Sequence, residues 1–201
     1  MKDVSIKLSL KLYTDNAHNL FKGREKSDTK SEIIGVERVG YRLYHVHQVA
    51  VEGCPFAANI MMAVESELMS LKSELNNLLA PYRRADQSVQ IERGEPVAVF
   101  DLSKRPVFTV AISEIVGLYD ELMMFWYLDR VRGVISAGEC HRQASKYKKK
   151  IRTMMYIGMK YRDYKFRGTS DRTSLEWSEA VKQFGEPATT RYRSRYYNVT
   201  V

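Results

Sequence analysis

The chain has 201 residues, 44% of them hydrophobic and 11% aromatic, which is enough apolar side chain to bury a core and excludes a disordered chain. Its 32 Lys and Arg against 24 Asp and Glu leave a net charge of +8, a balance that favours polyanionic partners without separating DNA from RNA or anionic lipid. Two cysteines, Cys54 and Cys140, lie far apart and outside any Cys-x-x-Cys or Cys/His spacing, which argues against a zinc module or disulfide framework, and no cofactor or metal is expected.

The N-terminal residues lack a charged stretch followed by an unbroken apolar run, and the longest uncharged apolar stretch, 53–64, is too short to span a bilayer. A cytoplasmic protein with no membrane partner is expected. From 4 to 12 the chain alternates: Val4, Ile6, Leu8, Leu10 and Leu12 share one face, and Ser5, Lys7, Ser9 and Lys11 share the other. This predicts a strand with one wet, basic face. Thr14 or Asp15 can cap a short helix carrying Ala17, Leu20 and Phe21, which stops at Gly23. Thr29 followed by Glu32 reads as a capping box, predicting a second helix with Ile33, Val36, Val39 or Gly40, Leu43, Val46 and Ala50 inward. Gly53 and Pro55 interrupt it, and a third helix follows with a seam of Ile60, Val64, Leu68, Leu71, Leu75 and Leu78, up to Pro81.

Between 88 and 113 short β-branched runs (Val89 and Ile91, 97–100, 107–112) predict a small antiparallel sheet or hairpin. Ser113 is the predicted cap of a fourth helix that buries Ile115, Tyr119, Leu122 and Trp126 and ends near Gly133. Ser136 with Glu139 forms another capping box, opening a fifth helix with Cys140, Ala144, Tyr147, Ile151, Met154 or Met155 and Gly158 inward. Residues 142–167 hold ten Lys or Arg and one acid, Asp163. Thr173 and Glu176 can cap a last short helix, ahead of Arg191, Arg193 and Arg195. The expected class is α+β and mostly helical, with a single DNA-binding domain over 1–168 and a basic C-terminal tail over 169–201.

Strand, short helix and capped helix in succession match the ribbon-helix-helix arrangement, in which one strand per subunit pairs across a dimer axis and the ribbon enters the major groove. On that reading Lys7, Ser9 and Lys11 face base edges. The backbone N–H groups of Lys30 and Ser31, at the positive end of the second helix, clamp a phosphate. The basic fifth helix, with Lys148, Lys149 and Lys150, tracks the DNA backbone without reading sequence. Residues 106–165 offer a second strand-helix-helix copy, ranked behind the first. Catalytic signals are poor: His45 and His47 are two apart on a helix, and Asp120 with Glu121 and Glu65 with Glu67 read as exposed helix residues. The rival reading is a non-enzymatic scaffold of a conjugation system that binds acidic protein partners.

The segments LKLYTDNAHNLFKGR at 10–24, SEIIGVERV at 31–39, RPVFTVAISEIVGLYDELMMFWYLDR at 105–130 and HRQASKYKKKIRTMMYIGMKYR at 141–162 resemble the AcaB family, transcriptional regulators encoded by integrative conjugative elements and IncC-type conjugative plasmids. The resemblance implies a ribbon-helix-helix homodimer that binds promoter DNA and promotes expression of transfer genes. It does not say which strand-helix-helix segment supplies the ribbon.

Overall fold

Apolar residues recur at helical spacing through most of the chain, and a computed structural model, describing residues 7–84, 93–162, 164, 166, 172–187 and 192–196, contains six helices and two short strands among them. In chain order these are β1 (Ser9–Leu12), α1 (Asp15–Lys22), α2 (Val36–Val51), α3 (Pro55–Arg84), β2 (Ala98–Asp101), α4 (Val107–Val131), α5 (Ala137–Met159) and α6 (Leu175–Phe184). The class is α+β and mostly helical, as expected, with β1 and β2 in one antiparallel pair. Val4 to Ile6 of the expected first strand, and Val89 with Ile91, lie outside the described residues.

Three helices begin where the sequence places their caps. The Thr14 hydroxyl accepts the Ala17 N–H at the start of α1, and Gly23 closes that helix with φ of 77°. Pro55 opens α3 in the first turn, where its missing N–H costs nothing. The Ser136 hydroxyl accepts the Glu139 N–H at the start of α5. The seam of α3 is buried at Val64, Leu68, Leu71, Leu75 and Leu79, with Leu78 at its margin. Burial of each such side chain contributes about 1.5–3 kcal/mol.

Two expectations are overturned. The second helix starts at Val36 behind an N-cap at Gly35, not at Thr29. Residues 24–33 instead form a short hairpin, bridged at Arg24 with Ile33 and at Ser27 with Lys30. The reason is a backbone crossing at its base. A Cβ on Gly23 would collide with the Ile33 carbonyl oxygen and lie 2.9 Å from Gly35 Cα, so two glycines let α1 and α2 pinch the hairpin closed.

The second correction is at 107–112, which begins α4 and is not a strand. Phe108, Thr109, Ala111, Ile112, Ser113, Ile115 and Val116 are all buried, because α4 is packed against α1, α2, α3, α5 and β1. A helix apolar on every side shows no period of 3.6, and its β-branched residues imitate a strand. Ser113 is no cap; its hydroxyl donates to the Thr109 carbonyl oxygen one turn back, at 2.6 Å. The strand expected at 107–112 in the alternative strand-helix-helix segment, 106–165, is therefore helix. The segment after 168 adds to the core: Trp177 and Ala180 of α6 are buried, and Phe56 stacks edge-on against Trp177 at 4.8 Å between ring centroids.

Candidate nucleic-acid interface

The β1–β2 pair has one packed face and one open face. Its register sets Ser9 opposite Asp101, Leu10 opposite Phe100, Lys11 opposite Val99 and Leu12 opposite Ala98. Inward, Leu12 is fully buried, Leu10 lies over Gly117 of α4, and Phe100 stacks on Phe21 of α1 at 3.9 Å between centroids. Outward, Ser9, Lys11, Val99 and Asp101 are exposed, and Lys7 is exposed just before the strand. The Asp101 carboxyl is held below its usual range, chiefly by the Ser103 N–H that it accepts, so this face also carries a fixed negative charge.

The expected pairing of β1 with a twin is replaced, on one edge, by pairing with β2. The Leu102 N–H donates to the Leu8 carbonyl oxygen at 2.8 Å, so by the alternation of an antiparallel ladder Leu8, Leu10 and Leu12 turn their backbone groups towards β2. The backbone groups of Ser9 and Lys11 point to the other edge. Among the described residues no third strand covers it.

One buried carboxylate fixes this strand. Asp120, 2% exposed on α4, accepts the Tyr13 N–H at 2.8 Å, the Thr14 N–H at 2.9 Å and the Thr14 hydroxyl at 2.6 Å. It was expected on an exposed helix face. So was Glu65, which is 3% exposed on α3 and accepts the Tyr192 and Ser194 hydroxyls, each at 2.7 Å, and the Arg195 N–H at 3.0 Å. A usable signal was present for Glu65, which lies on the seam four residues after Met61 and three before Leu68, whereas Asp120 stands beside Glu121 and has the look of an exposed acidic pair.

Lys30 and Ser31 occupy the returning arm of the 24–33 hairpin and are exposed, so the expected phosphate clamp at a helix N-terminus does not form there. The hairpin does place a different cation. Arg24 donates to the Ser31 carbonyl oxygen at 3.0 Å and is close enough to Lys148 of α5 to repel it.

On α5 the three expected lysines divide. Lys150 is turned to α3, donating to both oxygens of Glu74 at 2.7 Å, and this bond holds the Glu74 carboxyl below its usual range. Arg142 is paired with Glu139 one turn before. Scarcity of acids within 142–167 thus does not leave these two cations unpaired, because Glu74 of α3 and Glu139 lie outside that stretch. Lys149 is exposed, and Lys148 donates to Asn16 Oδ1 of α1 at 3.2 Å. Lys148 is held below the usual lysine range by burial first, then by repulsion from Arg152 and Arg24. Arg152 and Arg24 were not singled out from sequence. Helix α1 is the common support: its Asn16 holds Lys148, and its Phe21 and His18 stack against Phe100 of the sheet.

No helix among the described residues is long and apolar enough to cross a membrane. No curated protein matches the chain. A crystal structure of AcaB from uropathogenic E. coli has a similar fold, with a TM-score of 0.59 at 12% sequence identity, covering 92% of this chain and 91% of that one. Residues 3–194 match the family described as transcriptional regulator AcaB. The chain belongs to the AcaB family of transcriptional regulators.

Proposed function

We propose that this regulator binds double-stranded promoter DNA sequence-specifically as a cytoplasmic homodimer, activates conjugative transfer genes and has no enzymatic activity. The family supports a regulatory role. The observation that carries DNA binding is the open outer edge of β1 beneath an exposed face with Lys7, Ser9 and Lys11. A second copy adds its own β1 antiparallel to that edge, giving a two-stranded central ribbon flanked by the two β2 strands. The major groove, about 12 Å wide, admits a two-stranded ribbon, so the central β1 pair is the part that enters it, and its lysine and serine supply donors to guanine O6 and N7 or to other base edges. Lys30 and Ser31, on the exposed hairpin, together with Lys148 and Lys149 on α5, contact phosphates and set the register. Lys150 contributes to α3–α5 packing instead.

Two variants test this. Lys11→Ala is expected to weaken binding to the preferred site by about 1–3 kcal/mol and to relax specificity there. Footprints identical to wild type would remove the strand from the reading surface. Ser9→Pro deletes an N–H on the outer edge while leaving the ladder to β2 intact, so it is expected to sediment as a folded monomer. A Ser9→Pro protein that remains dimeric would place the dimer contact elsewhere.

A further inference from the structure

We propose that Arg24, Lys148 and Arg152 together hold one backbone phosphate of the bound duplex, in a cavity on the surface of α5; this rests on the DNA-binding reading above. The cavity, about 400 Å³, is lined by Ser145, Lys148, Lys149, Arg152, Thr153 and Tyr156. Each side chain in that lining can donate a hydrogen bond, and none is a carboxylate.

Three features set this cluster apart from a solvated basic face. Arg152 Nε is buried and has no hydrogen-bond partner among the described residues, a donor left waiting for an acceptor. Lys148 is partly withdrawn from water, yet it faces two further cations. Its neighbour Lys150 shows how the same helix treats a purely structural cation, with a carboxylate bonded through both oxygens. Cations brought together with no acid between them repel one another, and an incoming phosphate reverses the sign of every one of those interactions. The 24–33 hairpin acquires a role on this reading: its bridge at Ile33 and the bond to the Ser31 carbonyl hold Arg24, which lies outside the cavity lining but close enough for its charge to act on Lys148.

The test is the salt dependence of binding to a random-sequence duplex. Removing one phosphate contact lowers the slope of log K against log salt by about 0.9, so a fourfold rise in salt weakens the variant roughly 3-fold less than it weakens wild type. Because the three cations share one phosphate, Arg152→Ala and Arg24→Ala are each expected to show part of that change and their combination no more than the whole of it, and Lys150→Ala is expected to keep the wild-type slope. Arg24 lies on an exposed hairpin, so its variant reports even where Arg152→Ala unfolds. Wild-type slopes in both arginine variants would overturn the pocket and leave DNA binding standing. Failure of wild-type protein to bind any duplex would overturn both readings. A parallel thermal melt compares inorganic phosphate with chloride at equal ionic strength. Stabilisation by phosphate that disappears in Arg152→Ala, combined with an unchanged duplex slope, would assign the pocket to a free phosphate compound and overturn its occupation by DNA.

Discussion

Asp120 fixes the geometry of the proposed reading strand without carrying any of its positive charge. Its two oxygens take three donors at the junction of β1 and α1, the Tyr13 N–H, the Thr14 N–H and the Thr14 hydroxyl. Asp120→Ala strands those donors in the interior. Hydrogen bonds to a buried charge contribute about 1.5–3 kcal/mol each and overlap when shared, so a loss of about 3 kcal/mol in urea unfolding is expected. Affinity for DNA is expected to fall with it, although Asp120 is buried away from any surface. The residues expected from sequence to carry function are exposed polar side chains, and alternation alone located Lys7, Ser9 and Lys11 on the open face. Asp120 and Glu65 were read as exposed because a carboxylate is usually a surface residue, whereas partners more than a hundred positions away in the chain make both interior ones.

Among the elements, those whose ends are set by local chemistry were legible. Thr14 and Gly23 delimit α1, Pro55 opens α3, and Ser136 opens α5, each through a bond or a conformation that a few neighbouring residues specify. The elements that depend on the rest of the fold were not. Thr29 and Glu32 have the spacing of a capping box, but the Gly23–Gly35 crossing holds that stretch as a hairpin. The first six residues of α4, 107–112, hid behind their burial, although the rest of that helix was legible from Ser113 onward. The α2–α4 crossing shows how tightly it is enclosed: a Cβ on Gly40 would collide with Thr109 Oγ1 and lie 2.8 Å from Thr109 Cα. The second contact is with backbone, so no rotamer change relieves it. Gly40→Ala is therefore expected to destabilise the protein by at least about 1–3 kcal/mol, the usual range for overpacking, despite the better helix propensity of alanine. A thermal melt at or above the wild-type midpoint would show that the two helices can separate at no cost.

At the scale of the whole molecule, the described residues after 168 pack against α2, α3 and α4. Tyr192 joins Glu65 of α3 to His47 of α2, its hydroxyl 2.7 Å from the carboxylate and 3.2 Å from the imidazole Nδ1, and Tyr196 lies against Phe108 of α4. Burial lowers the His47 pKa, and the Glu65 carboxylate opposes that shift only in part. A histidine that protonates less readily folded than unfolded adds stability above its unfolded value of about 6.5 and loses it as pH falls towards the folded value. Stability is thus expected to decline below about pH 6.5, and His47→Gln is expected to flatten that part of the curve. Equal pH profiles for the two proteins would remove His47 from the linkage.

The β1–Asp120 contact joins positions 107 residues apart, and that separation has a consequence for synthesis. At roughly 5–20 residues per second, about 5–20 s pass between the emergence of Tyr13 and that of the carboxylate that anchors it. For most of that interval, until residues 98–101 emerge, β2 does not exist and both edges of the nascent strand stand open. Lysines at alternate positions are a common guard against unwanted edge pairing. Lys7 and Lys11 would then serve twice, first by keeping an unfinished strand single on the ribosome and later by meeting the groove.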